Sequence, residues 1–134
     1  MQMWGDSMSE LTCLELSVLL WLAHVLAQAL TARAEFGDAY LFTPRDAQLQ
    51  PKGLECGRAT RALANYIENM VPFVALDVAL IAIQHTGGLG ATIWILARIL
   101  YLPVYLMGTL YVRTALWFIS VIGLMMMLAR LAGY

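Results

Sequence analysis

Four apolar stretches, each long enough to cross a lipid bilayer, limit what this chain can fold into. A transmembrane helix needs about 20 mainly apolar residues, and the stretches cover about residues 11–32, 58–84, 89–107 and 114–131. Hydrophobic residues make up 61% of the chain and charged residues only 13%, against about 25% charged in ordinary soluble domains. We therefore predict an all-α membrane protein, a bundle of four transmembrane helices forming a single domain over residues 1–134.

The same composition argues against several other classes of protein. A formal net charge of −1 provides no positive field for a nucleic acid, so we expect no nucleic-acid partner. Cys13 and Cys56 are too few for a disulfide framework and lack the spacing of metal ligands, so we expect no metal site. No basic residue precedes the first apolar stretch, and the stretch is longer than a signal-peptide core of roughly 7–15 residues. We therefore interpret it as a transmembrane helix and not as a signal peptide. Residues 1–7 precede Met8, a second possible start of the protein, and we assign them no structure.

The basic residues predict how the helices cross the membrane. A polar connector at about 33–57 separates the first two helices, and its length of about 25 residues is typical of a functional segment. Lys and Arg are concentrated in this connector, at the start of the second helix and before the fourth helix; they are Arg33, Arg45, Lys52, Arg58, Arg61 and Arg113. Because cytoplasmic loops carry the excess of basic residues, we predict that connectors one and three are cytoplasmic and that both termini lie on the opposite side, beside Arg130.

Polar residues inside the predicted membrane segments form two narrow helical faces. On the second helix the face comprises Arg58, Arg61, Asn65, Glu68 and Pro72, and on the third helix Arg98, Tyr101 and Tyr105. Residues three or four apart lie on the same side of a helix. Glu68 and Arg98 each lie ~15 Å from the cytoplasmic end of their helix. Since an unpaired charge in the bilayer is costly, we predict that these two side chains pair.

The arginines near the cytoplasmic side suit an anionic polar ligand. Arg33, Arg58, Arg61 and Arg113 gather there, and guanidinium groups bind carboxylates in bidentate geometry. The alternative interpretation is contact with lipid headgroups and a role in topology. Other polar residues lie away from this cluster: we expect His24 to be a packing residue, His85 a turn residue, and Asp77 a partner in an interhelical hydrogen bond near the far side.

Two motifs resemble the MAPEG family, the membrane-associated proteins in eicosanoid and glutathione metabolism. Residues 58–73, RATRALANYIENMVPF, are similar to the family pattern Arg-x-x-Arg-Ala-x-x-Asn-x-x-Glu-x-x-x-Pro-Phe. Residues 97–105, ARILYLPVY, with the later Arg113, are similar to Ala-Arg-x-x-(Tyr or His)-x-x-x-Tyr and its arginine. The chain departs from the family pattern at Gly57, where glutamate is frequent in the family. Asn69, next to Glu68, is the residue type that microsomal glutathione transferases have at this position.

The resemblance implies a homotrimer that binds glutathione, as co-substrate, between neighbouring subunits at the cytoplasmic side. It implies glutathione contacts for Arg61, Asn65, Glu68, Tyr101 and Tyr105. It further implies that Arg33 reaches a neighbour's ligand, that Arg98 is a structural or site arginine, and that Arg113 is the catalytic arginine beside the thiol.

The activity that the resemblance implies is a glutathione transferase or peroxidase in the membrane. A guanidinium near the thiol favours the thiolate, which is the nucleophile. The second substrate would be an apolar electrophile or a lipid hydroperoxide that arrives from the membrane lipids. Trp94 and Trp117 are candidates to line its approach, and the aromatic belts at membrane surfaces explain these two residues equally well.

Two other functions stay open at this point. One is a non-catalytic glutathione- or lipid-binding protein of the same family. The other is a small multidrug exporter, in which Glu15 on the first helix would be the proton-coupled carboxylate. The long polar connector and the deep Arg98 argue against the exporter.

Overall fold

The computed structural model describes residues 9–134, which form four helices. They are α1 (Glu10–Leu41), α2 (Leu54–Ala82), α3 (Gly88–Met107) and α4 (Leu110–Leu131). Each of the four is long and apolar enough to cross a membrane. The all-α, four-helix architecture is therefore confirmed, and it indicates an integral, multi-pass membrane protein. Residues 1–7 and Met8 lie outside the described residues.

The first connector is shorter than the predicted segment 33–57, because α1 extends beyond its apolar stretch. The helix continues past residue 32 to Leu41, with a break at Gly37, whose φ of 77° is left-handed. Glycine adopts this conformation without the Cβ penalty of other residues. The connector is therefore residues 42–53, and α2 begins at Leu54. Hydropathy marks where the apolar span ends but not where the helix ends, since a helix can continue into water.

Glu35 fastens this extension of α1 to the start of α2. Its Oε1 atom accepts hydrogen bonds from the backbone N–H groups of Lys52 and Gly53. Gly53 is the N-cap of α2 and has no capping side chain, so Glu35 supplies an acceptor that this helix end otherwise lacks. Further along the connector, the backbone N–H of Leu49 donates to the Tyr40 hydroxyl over 2.9 Å. This first connector is thus held against α1.

The core lies where α2 and α3 meet, with α1 and α4 packed on either side of this pair. Phe73 of α2 stacks on Trp94 of α3 with ring centroids 3.9 Å apart. Between α3 and α4, Gly90 and Gly123 allow close approach, since a Cβ on Gly90 would lie 2.7 Å from the carbonyl oxygen of Gly123. Small residues bring transmembrane helices together in this way. Within residues 9–134, α1 and α4 do not pack against each other.

The structure corrects one prediction about a buried polar residue and locates three other residues. The predicted interhelical hydrogen bond of Asp77 is wrong, because both carboxylate oxygens are buried without a hydrogen-bond partner in the described part of the chain. Asp77 packs instead within the bundle, where Gly87 lies beside its Oδ1. His24 is buried and stacks on Tyr66 with centroids 4.3 Å apart, which agrees with a packing role. His85 is exposed between α2 and α3, and Glu15 is exposed on α1.

Candidate functional site

A cavity of about 580 Å³ opens between α2, α3 and α4. Small-molecule sites typically have volumes of about 300–1,000 Å³. The described residues that line the cavity are Arg61, Ala64, Asn65, Glu68, Tyr101, Tyr105, Arg113, Thr114, Trp117 and Phe118. They combine charged groups with an aromatic wall from α4, so the cavity can receive a ligand with both a charged and an apolar part.

Six of the eight predicted site residues come together in this cavity. They are Arg61, Asn65, Glu68, Tyr101, Tyr105 and Arg113. The helical spacing explains the grouping, because residues three or four apart project from one side of a helix. Residues 61, 65 and 68 supply the α2 wall, and residues 101 and 105 the α3 wall. Glutathione binding by these residues stays a prediction.

Arg33 is not among the cavity residues of its own chain. It lies on the α1 extension, where its side chain forms a two-pronged pair with Asp38, with Nε 2.9 Å from Oδ1 and Nη2 3.1 Å from Oδ2. Both side chains are more than half exposed. A surface pair of this kind contributes little stability, so the pair can open at small cost and the Arg33 guanidinium can then bind another anion.

The predicted pair of Glu68 and Arg98 is wrong. Arg98 is fully buried behind the cavity wall, and its Nη1 donates to the Asn65 side-chain oxygen over 2.8 Å. Its Nη2 donates to the Ser120 hydroxyl over 2.9 Å. Glu68 is exposed and lines the cavity. Equal depth along two helices does not determine rotation about their axes, and that rotation brings Asn65, one turn before Glu68, to Arg98.

Two arginines lie over the rings of the two cavity tyrosines. The Cζ atom of Arg98 is 4.8 Å from the ring centroid of Tyr101, and the Cζ atom of Arg113 is 4.8 Å from that of Tyr105. Such cation–π contacts are worth roughly 0.5–2 kcal/mol, depending on how far the charge is removed from water. They hold each guanidinium in place without neutralising its charge. Arg113 lines the cavity, so its charge is available to an anion, whereas Arg98 is fully buried and does not line it.

A smaller cavity of about 110 Å³ adjoins the first one at the connector end. Arg58, Arg61 and Arg113 line it, and none of the described lining residues carries a carboxylate. Arg58 also donates to the backbone oxygen of Leu106 over 3.1 Å, at the end of α3 where helix carbonyls lack partners. The connector end of the large cavity is therefore strongly positive, as the sequence predicted for this region.

Several residues of the site were not predicted from the sequence. Ala64, Thr114 and Phe118 line the cavity. Their positions on the helices close to Arg61 and Arg113 could have indicated that they line the same cavity. Ser120, which binds Arg98, lies on the buried side of α4 with Leu116, Gly123 and Met127. A serine within an apolar stripe signals an internal hydrogen bond, but the stripe does not identify the partner.

The family model described as "MAPEG family" matches residues 13–133, nearly the whole chain. The chain belongs to the MAPEG family. No curated protein and no solved structure matches it. Membership of MAPEG suggests a membrane function related to glutathione or eicosanoids, and MAPEG proteins include glutathione transferases, peroxidases and non-enzymatic members.

Proposed function

We propose that this MAPEG protein is a glutathione-dependent membrane transferase. The observation that supports the proposal is the charge pattern of the large cavity, which combines Arg61 and Arg113 with Glu68. Glutathione carries two carboxylates, one ammonium group and a thiol. The guanidinium groups suit the carboxylates, Glu68 suits the ammonium, and Asn65 with the tyrosines suits the peptide groups.

In the proposed reaction Arg113 lies beside the glutathione sulfur. A positive charge within about 4–6 Å favours the ionised form of an acid, so Arg113 lowers the pKa of the bound thiol. The proton leaves to solvent, and the thiolate is the stronger nucleophile. With a chlorinated dinitrobenzene, the sulfur forms a bond to the ring carbon that carries chlorine. The carbon–chlorine bond then breaks, and chloride leaves with the bonding electrons.

The second substrate is an apolar electrophile or a lipid hydroperoxide that enters from the membrane. Trp117 and Phe118 form the α4 wall of the cavity, and Phe118 is 57% exposed. Large apolar side chains on a membrane-spanning helix are compatible with lipid contact. An apolar molecule can therefore reach the cavity from the lipid, while glutathione enters from the arginine-rich end.

The proposed assembly is a homotrimer in which the cavity lies between subunits. Residues 9–134 of one chain leave α1 and α4 apart, and Arg33 of that chain does not line its own cavity. A neighbouring α1 beside α4 would bring a second Arg33 to the site. The cavity lies at the end of the bundle that carries the basic connectors, and by the distribution of Lys and Arg this end is cytoplasmic.

Two measurements test the proposal on the purified protein in mild detergent. Glutathione should raise the melting temperature, because a ligand that binds only the native state stabilises it. Conjugation of glutathione to the chlorinated dinitrobenzene should be measurable, and reduced in Arg113→Ala. Arg45→Ala is the control, because Arg45 lies in the connector and donates to the Leu41 carbonyl.

The combined outcomes separate the candidate functions. Binding together with turnover supports the transferase. Binding without turnover across several electrophiles contradicts the transferase and supports the non-catalytic family role. A protein that shows no glutathione binding and no turnover contradicts every glutathione function. Uptake of an organic cation that depends on Glu15 would instead support an exporter.

A further inference from the structure

The contact between Arg98 and Asn65 determines which way round the Asn65 amide lies. A guanidinium group has hydrogen-bond donors only. The atom of Asn65 that receives Nη1 of Arg98 over 2.8 Å is therefore the side-chain oxygen. Asn65 also lines the cavity, so its NH2 group is the part that remains for a ligand.

We propose that Arg98 and Ser120 are positioning residues that hold the Asn65 amide with its NH2 group toward the ligand. The inference rests on the proposed glutathione site and deepens it. It assigns the ligand a hydrogen-bond acceptor, a peptide carbonyl or a carboxylate, opposite Asn65. It also gives Arg98 an indirect role, because Arg98 does not line the cavity and acts on the ligand through Asn65.

Ser120 completes the arrangement because its own hydrogen bonds have a defined direction. Its hydroxyl donates to the Trp117 carbonyl oxygen over 2.7 Å. The single hydroxyl hydrogen is then used, so the Ser120 oxygen is an acceptor for Nη2 of Arg98 at 2.9 Å. The bonds run from α4 through Arg98 on α3 to Asn65 on α2, and they connect the aromatic wall of the cavity to its polar wall.

The Ser120 hydroxyl matters because Arg98 has few other partners. Arg98 is fully buried, and in the described part of the chain its Nε has no hydrogen-bond partner and no carboxylate forms a salt bridge with it. Its other contacts are the rings of Tyr101 and Trp94. A buried donor without an acceptor is costly. Loss of the hydroxyl should therefore shift the guanidinium and, with it, the Asn65 amide.

The test removes the hydroxyl rather than the buried charge, because replacing Arg98 itself would disturb packing among three helices. Ser120→Ala is compared with Ser17→Ala. Ser17 is a matched control, because it is also fully buried and its hydroxyl also donates to a carbonyl on its own helix, that of Leu14. Ser120→Thr, which keeps the hydroxyl, is the conservative variant.

The measurements are glutathione Kd, kcat and KM, together with the melting temperature of the protein without ligand. We expect Ser120→Ala to weaken glutathione binding about tenfold, the effect of losing the hydrogen bond from the Asn65 NH2 group to the ligand, and to raise KM more than it lowers kcat. Ser17→Ala should leave Kd and KM unchanged at a similar melting temperature, and Ser120→Thr should restore binding. Equal Kd values for Ser120→Ala and Ser17→Ala would overturn the proposal.

A ligand-free measurement keeps this inference separate from the glutathione proposal. The side-chain NH2 signals of Asn65, assigned by their loss in Asn65→Ala, can be observed by NMR in detergent. A shift in Ser120→Ala that is absent in Ser17→Ala supports the positioning network even if the wild-type protein binds no glutathione. Unchanged Asn65 signals in Ser120→Ala contradict the network, whatever the protein binds.

Discussion

The guanidinium group of Arg113 lies over the ring of Tyr105, with Cζ 4.8 Å from the ring centroid. Both side chains line the large cavity. The aromatic face holds the cation by its quadrupole but does not neutralise it, as a carboxylate would. Arg113 is therefore a fixed positive charge that is available to an anion, which is the requirement for stabilising a thiolate.

Arg113→Ala should shift the pH dependence of conjugation toward alkaline pH. The nucleophile is the thiolate, and removal of a nearby positive charge raises the pKa of the thiol by about 1 unit or more. At neutral pH a smaller fraction of the bound glutathione thiol is then ionised, so kcat should fall about tenfold and recover as the pH rises. Rate–pH profiles and the ultraviolet absorbance of the bound thiolate measure this shift.

Arg113→Lys distinguishes charge from geometry in the same experiment. Lysine keeps the positive charge but lacks the planar guanidinium that stacks on Tyr105. We expect a profile between those of the wild type and Arg113→Ala. An unchanged profile in Arg113→Ala, with reduced rates at every pH, would mean that Arg113 positions the substrate and does not affect ionisation.

Asn65→Asp should preserve the fold and weaken glutathione binding. Aspartate offers Arg98 an oxygen acceptor in place of the one at 2.8 Å, so the contact between α2 and α3 is kept. The NH2 donor toward the cavity is replaced by an anionic oxygen, which repels a carbonyl or carboxylate of the ligand. A glutathione Kd raised about tenfold or more at nearly unchanged melting temperature is the expected result. Wild-type affinity would show that Asn65 does not donate to the ligand.

The gathering of the site was predictable because helical spacing is visible in the sequence. Residues 61, 65 and 68 lie on one side of α2, and they line the cavity with residues 101 and 105 of α3. The end of α1 was not predictable from hydropathy. Charges after residue 32 mark the edge of the apolar span, but the helix continues to Leu41 and is held by Glu35 contacts.

The partner of Arg98 was not predictable for a different reason. Helical rise gives the depth of a residue, so Glu68 and Arg98 were placed at the same level. The rotation of each helix about its axis comes from packing, for example from the close approach at Gly90 and Gly123. That packing directs Arg98 to Asn65 and Ser120, and no pattern within a single helix encodes it.

Gly108→Ala should destabilise the protein more than Gly133→Ala. Both glycines have positive φ, 75° and 92°, which costs any residue with a Cβ roughly 1–2 kcal/mol. At Gly108 a Cβ would also lie 2.5 Å from Nη2 of Arg58, whereas at Gly133 it would meet nothing within 4 Å. Arg58 would then be displaced from its bond to the Leu106 carbonyl. Denaturant unfolding in detergent measures the difference, and equal losses would show that Arg58 adjusts freely.

Mixed assemblies should show whether Arg33 acts on a neighbouring subunit. Arg33→Ala and Arg113→Ala should each have reduced activity at neutral pH when expressed alone. If Arg33 serves the neighbour's site, a mixed trimer contains some sites with both arginines, because an Arg33→Ala subunit supplies Arg113 and an Arg113→Ala subunit supplies Arg33. Asp38→Asn, which removes the present partner of Arg33, should leave activity intact or raise it, since it releases the guanidinium.

The two variants, carrying different affinity tags, are co-expressed and purified through both tags in sequence. Recovery of activity well above either variant alone is the expected result. The control is a mixed oligomer of Arg113→Ala and Glu68→Gln subunits. Arg113 and Glu68 line the same cavity within one chain, so this mixture should show no recovery of activity. Absence of recovery in a confirmed mixed oligomer would mean that Arg33 acts within its own chain or not at all, and a monomer by mass measurement would contradict the trimer itself.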